Sequence, residues 1–109
     1  MSSTPVLVGI AQLEQRIDDP RTGKEPLELM ADALRAAAED SGSSSLLEQA
    51  TSVRVIRGIW PYSNPAKVLA EEFGISSAET GLTPFGGNFV QTTLNASALD
   101  IQAGKHDII

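Results

Sequence analysis

Between Asn88 and Gly104 the chain carries a single charged residue, Asp100. Thr, Asn, Ala and Ser stand on every side of Val90, Leu94, Leu99 and Ile101. A helix with no charged face gains little from contact with water and is expected to lie buried among other elements. Its small side chains let neighbouring backbones come close. The sequence therefore predicts a buried central helix over about 89–103. Asn88 is its expected N-cap, Gln91 returns a hydrogen bond as in a capping box, and Gly104 is its stop.

Two further helices carry signals at both ends. Pro26 suits a first helical position and Gly42 the residue past the last turn. Between them Leu27, Met30, Ala31, Leu34, Ala37 and Ala38 form an apolar stripe, with Glu28, Asp32, Arg35 and Glu39 on the opposite face. A second helix is expected over about 65–73, capped by Asn64, opened by Pro65 and stopped by Gly74. Ser45 with Glu48 suits the cap of one additional helical turn.

Strand candidates alternate with these helices. Val6-Leu7-Val8-Gly9-Ile10-Ala11 is an unbroken apolar run, as expected of a strand covered on both faces. Residues 53–59 are rich in β-branched side chains, interrupted by Arg54 and Arg57, and residues 80–83 form a shorter candidate. After Gly104, His106-Asp107-Ile108-Ile109 reads as the start of another buried strand. The resulting order, β-α-β-α-β-α-β, predicts an α/β layered fold with a largely parallel sheet. A chain that stops inside a strand leaves a sheet edge unpaired, so residues 1–109 read as a partial domain, truncated at the carboxyl end.

Composition narrows the chemistry. The chain has 109 residues, with 41% hydrophobic and 20% charged, the balance of a globular domain. Eight basic against fourteen acidic residues give a formal charge of −6, which gives nucleic-acid binding no electrostatic support. There is no cysteine, so disulfides, Cys-based zinc sites and a thiol nucleophile are excluded. The apolar run at residues 6–11 is too short for a signal peptide or membrane span, and the expectation is a cytoplasmic protein without membrane contact.

The remaining reactive side chains point to no catalytic group. His106 is the only histidine and is expected in a solvated loop; no metal site is expected around it. Asp18-Asp19 and Glu71-Glu72 are adjacent acidic pairs whose side chains need not converge, and are expected to be solvated. Asn95-Ala96-Ser97 fits the glycosylation pattern but falls inside the predicted buried helix. Trp60 and Tyr62, at a strand end, are expected to cap the core. Neither a dinucleotide-binding nor a Walker A pattern is present.

The same residues resemble the N-terminal part of the thiolase superfamily over almost the whole chain. Pro5-Val6-Leu7-Val8-Gly9-Ile10-Ala11 looks like the family's first strand. Glu25-Pro26-Leu27-Glu28-Leu29 through Ala36-Ala37-Ala38-Glu39-Asp40-Ser41-Gly42 looks like its first helix, and Asn64-Pro65-Ala66-Lys67-Val68-Leu69-Ala70 is similar to its second. Ile101-Gln102-Ala103-Gly104-Lys105-His106-Asp107 matches the Ile-x-Ala-Gly-x-x-Asp pattern that ends the central helix in thiolases.

The resemblance implies a thiolase-like fold and carbon–carbon bond chemistry on acyl-CoA in lipid metabolism. It also implies an acetyl-CoA acetyltransferase type of activity, with the CoA thioester as substrate and no separate cofactor. Partners implied are a second copy, as a homodimer, or a thiolase-like hetero-complex. Family members carry the acylated Cys at the start of this third helix; counting back from Gly104 places that position at Gly87. Gly87 cannot be acylated, and Thr92 lies a full turn inside the helix. The Gly-Gly-Asn turn resembles divergent members of the sterol-carrier-protein-X type. Gly86, Gly87, Asn88 and Phe89 are the candidate substrate-binding residues, with the N–H groups of Asn88, Phe89 and Val90 expected to point out of the helix start. The alternatives are a non-catalytic thiolase-like subunit, such as the partner of a retro-aldolase, or a free-standing α/β binding domain.

Overall fold

The computed structural model describes residues 3–109. Helix α1, Pro26–Ser41, forms where its two signals place it, with Gly42 in the left-handed conformation behind it. The Glu28 carboxylate accepts a hydrogen bond from the Glu25 N–H at its start. A single turn, α2 (Leu46–Gln49), leads into strand β1, Ser52–Val55. Helix α3, Pro65–Glu72, has Pro65 at its first position, and the Asn64 side chain accepts from the Lys67 N–H at 3.2 Å. Strand β2, Glu79–Leu82, and helix α4, Phe89–Gln102, complete the order. The fold class is α/β.

β1 and β2 pair in parallel, Ser52 opposite Glu79 and Val55 opposite Leu82, joined by the α3 crossover. The alternation of a strand divides the side chains between two faces. Val53 and Val55 turn toward α1 and α3, where Ala31, Val55, Ala66 and Leu69 form the core with Leu27, Met30, Trp60 and Phe73 packed around it. Arg54 turns toward α4, where it meets Ser97 and Asp100. The core is small because alanines bring α1 and α3 close, as the aliphatic, aromatic-poor composition requires.

The structure departs from the sequence expectations in several places. Residues 6–11 form no strand: Val6, Leu7, Val8 and Ile10 are 56–76% exposed, and the segment lies along α1. The Asp40 carboxylate accepts the Ile10 N–H at 3.0 Å, and Gly9 lies so close to the Ala37 carbonyl that any Cβ would overlap it. An apolar run becomes a strand only when it pairs along a sheet edge, and here the segment is held along α1 instead.

Secondly, residues 106–109 form no strand, although the Thr51 N–H donates to the Ile108 carbonyl at 3.0 Å. Thirdly, α4 is not buried. Val90, Leu94 and Leu99 are each more than half exposed, because a sheet two strands wide covers only one side of the helix. Asn95 is accordingly exposed, and accepts a hydrogen bond from Gln91 at 2.8 Å.

Lastly, that bond draws Gln91 away from the expected capping box. Asn88 already has helical dihedrals and its side chain caps nothing. Ser45 likewise makes no side-chain cap to α2.

The molecule measures 52 × 30 × 23 Å, with a radius of gyration of 14.4 Å. A compact chain of this length has about 13 Å. The excess reflects an open apolar cleft of about 840 Å³ between residues 5–11, α1, β1, α4 and Ile108-Ile109. No described helix is long and apolar enough to cross a membrane.

Candidate functional site

Parallel strands send their carboxyl ends the same way, and in α/β sheets ligands bind outside those ends. Two loops meet there, residues 56–64 after β1 and 83–88 after β2. They are tied by Arg57, whose N–H donates to Thr83 Oγ1 at 3.1 Å and whose Nε donates to the Thr83 carbonyl at 3.2 Å. The guanidinium then lies 5.6 Å from the centre of the Phe85 ring, a cation–π distance. Trp60 and Tyr62 pack with ring centres 5.1 Å apart, and Trp60 closes the end of the core as the sequence predicts. The Asn64 amide donates to Thr80 Oγ1 at 3.4 Å, so the start of α3 is also fastened to β2.

The predicted glycine turn forms the rim of this site. Gly86 has φ +144°, which only glycine adopts without strain, and a Cβ there would fall 2.6 Å from Asn88 Oδ1. At Gly87, nothing lies within 4 Å of the place a Cβ would take, so the position can accept a side chain. Gly86→Ala is therefore expected to destabilise the domain by about 1–3 kcal/mol. Gly87→Ala should remain within about 0.5 kcal/mol of the wild type. Urea denaturation of both variants checks the contrast; equal losses would contradict the geometry.

The helix start is less open than expected. Phe89 N–H donates to the Gly86 carbonyl at 3.1 Å and Val90 N–H to the Gly87 carbonyl at 3.4 Å, as in a tight 3₁₀ turn. Of the amides from Asn88 to Thr92, only those of Asn88 and Gln91 lack an acceptor among the described residues. Of the three predicted donors, only Asn88 N–H is available. Thr92 is turned inward along the helix, its hydroxyl donating to the Asn88 carbonyl at 3.1 Å. The turn also lies apart from the apolar cleft, which α4 lines with Thr93, Leu94, Ser97, Ala98 and Ile101.

A second polar cluster occupies the other face of the sheet. Arg54, with its side chain 15% exposed, donates to Asp100 Oδ2 at 2.6 Å, Ser97 Oγ at 2.9 Å and Ser52 Oγ at 3.1 Å, with Glu79 at 3.4 Å. The Arg54 hydrogen bond holds the Asp100 carboxyl below the ordinary aspartate range, against a smaller opposing effect of desolvation. Beside it, His106 is not solvated as expected: its side chain is 13% exposed, Nδ1 is 2.8 Å from Thr51 Oγ1, and Nε2 is 3.6 Å from Glu79. The chain reaches this place because Lys105 N–H donates to the Asp100 carbonyl, turning residues 105–108 back along β1. Sequence reasoning missed the cluster, although one signal was present. A single acid in an uncharged helix and an Arg within a β-branched run are opposite charges that each need a partner when buried.

Asp18, Glu71 and Glu72 are exposed and Asp19 is half-buried; Asp19 binds Arg21 and Glu72 binds Arg35. Among the described residues, no three His, Cys, Asp or Glu side chains gather as a metal site would need. No protein-family model, curated protein or solved structure matches the chain.

Proposed function

We propose that this chain is a thiolase-like, acyl-CoA-handling segment of the acetyl-CoA acetyltransferase type, inactive alone because Gly87 stands at the nucleophile position. The observation that carries this reading is the placement of Gly87. It lies in the turn between β2 and α4, two residues before Phe89, and has open space where a side chain would project. The Asn88 N–H beside it is available to a thioester carbonyl, and the Arg57 cation packs on Phe85 at the start of the turn. The fold proposed for the complete protein is the thiolase-like one, with a homodimer or hetero-complex as its assembly.

Gly87→Cys tests this. A thiol at a helix start is more acidic than a free one, because the helix dipole stabilises the thiolate. The thiolate sulfur attacks the acetyl-CoA carbonyl, the sulfur–carbon bond to CoA breaks, and CoA leaves as a thiol after taking a proton. The expected result is an acetyl adduct by intact mass, forming at least tenfold faster than on the exposed control Ser44→Cys, with no thiolysis by the wild-type chain. Equal rates at both positions would overturn the reading.

A second reading, a non-catalytic thiolase-like subunit or retro-aldolase partner, is favoured by the same Gly87, since a binding role needs no nucleophile. Acyl-CoA binding by the wild type, with Gly87→Cys remaining unacylated, selects it.

A further inference from the structure

We infer that Arg57 anchors a binding site for a small molecule carrying a carboxylate, at the carboxyl end of the two parallel strands. The loops that meet there, residues 56–64 and 83–88, contain no acidic residue, and Arg57 is their only charge. That is unexpected in a chain with fourteen acidic against eight basic residues. Arg16, Arg21, Arg35 and Arg54 each lie against a carboxylate, whereas among the described residues Arg57 meets none. Lys67 also lacks such a partner, but it is exposed on α3, where water solvates its charge. Arg57 is half-buried. A half-buried cation among uncharged neighbours draws a negative charge from outside the chain.

The side chain is already ordered for that role. Its Nε donates to the Thr83 carbonyl and its backbone N–H to Thr83 Oγ1, and that hydroxyl donates in turn to the Pro84 carbonyl at 2.9 Å. The Phe85 ring, 5.6 Å from the guanidinium carbon, shields one side of it. Among the described residues, Nη1 and Nη2 donate to nothing. Together they offer the two parallel N–H bonds that a carboxylate accepts with both oxygens. Because the guanidinium is fixed beforehand, little side-chain freedom is lost when a ligand arrives. The Asn88 N–H on the same rim also lacks an acceptor. Charge selects the carboxylate over a phosphate. One cation balances one negative charge, and neither loop holds a second cation to meet a dianion. The inference stands on Arg57 and does not depend on the acyl-CoA reading.

Titration of the full chain with butyrate at constant ionic strength, followed by NMR, tests it. The expected result is a saturable shift of the Arg57 Nε–H resonance, while that of Arg21, already paired with Asp19, stays in place. Arg57→Lys keeps the charge but loses the fork, and should weaken butyrate binding about tenfold or more. Arg21→Lys should leave it unchanged, and unaltered α3 amide resonances in both variants report an intact fold. If Arg57→Lys does not fold, the wild-type contrast between Arg57 and Arg21 still decides. No saturable shift up to about 100 mM butyrate would overturn the inference, since that affinity is below what one charge-assisted hydrogen bond supplies. Tighter binding of inorganic phosphate than of butyrate would overturn it too, as would equal binding by a folded Arg57→Lys.

Discussion

Leu69→Ala is expected to lower the unfolding free energy by about 3 kcal/mol, within the range for emptying a buried leucine site. Leu69 is 2% exposed and stands where α3 meets both β1 and α1. The site cannot collapse to fill the space, since Ala31 and Ala66 already hold the backbones close. A domain of this size has roughly 5–15 kcal/mol in total, so the loss is a large fraction of its stability. Urea denaturation measures it directly. Val68→Ala is the internal control: Val68 is on the same helix but 49% exposed, and should cost under about 0.5 kcal/mol. A Leu69→Ala loss no larger than that of the control would mean that α3 does not form the core.

The second large effect concerns α4, which makes few contacts with the other elements beyond those of Arg54. Arg54→Met keeps the apolar stem and removes every polar tie to Ser97 and Asp100. The expected result is a loss of about tenfold or more in amide protection across α4, with α1 and α3 unchanged, the pattern of a local opening. Acid should produce the same release. The Asp100 carboxyl titrates below its ordinary value in the folded chain, chiefly through its hydrogen bond from Arg54. A group depressed in this way adds stability that is fully present above its unfolded pKa, about 3.9, and is lost as pH falls through the folded value. α4 should therefore loosen below about pH 4, and Asp100→Asn should remove that acid-dependent step. Asp32, lowered mainly by its hydrogen bond from Lys24, has the same sign and acts on α1 instead. If α4 protection were flat between pH 6 and roughly pH 3, the ion pair would not be what holds it.

The helices were legible because their ends are local chemistry. Pro26 and Gly42, Pro65 and Gly74, and Gly104 mark stops and starts through dihedral preferences that need no partner. β1 was legible as part of a β-branched run and β2 only as a shorter candidate, and β1 ends before Arg57, whose N–H is taken by a threonine hydroxyl. At the candidate site, the sequence placed the glycine turn, but the number of open amides depended on whether the turn closed as 3₁₀, which it did.

What the sequence determined by itself is therefore the set of helices, their boundaries, the α/β class and the glycine at the rim of the site. Each follows from interactions within a few residues. The tertiary structure alone decided that residues 6–11 lie on α1, that α4 has an exposed side, and that Arg54 joins Asp100 and His106 approaches Glu79. A strand and a buried face exist only when something packs beside them. An apolar pattern records the need for a partner without naming it.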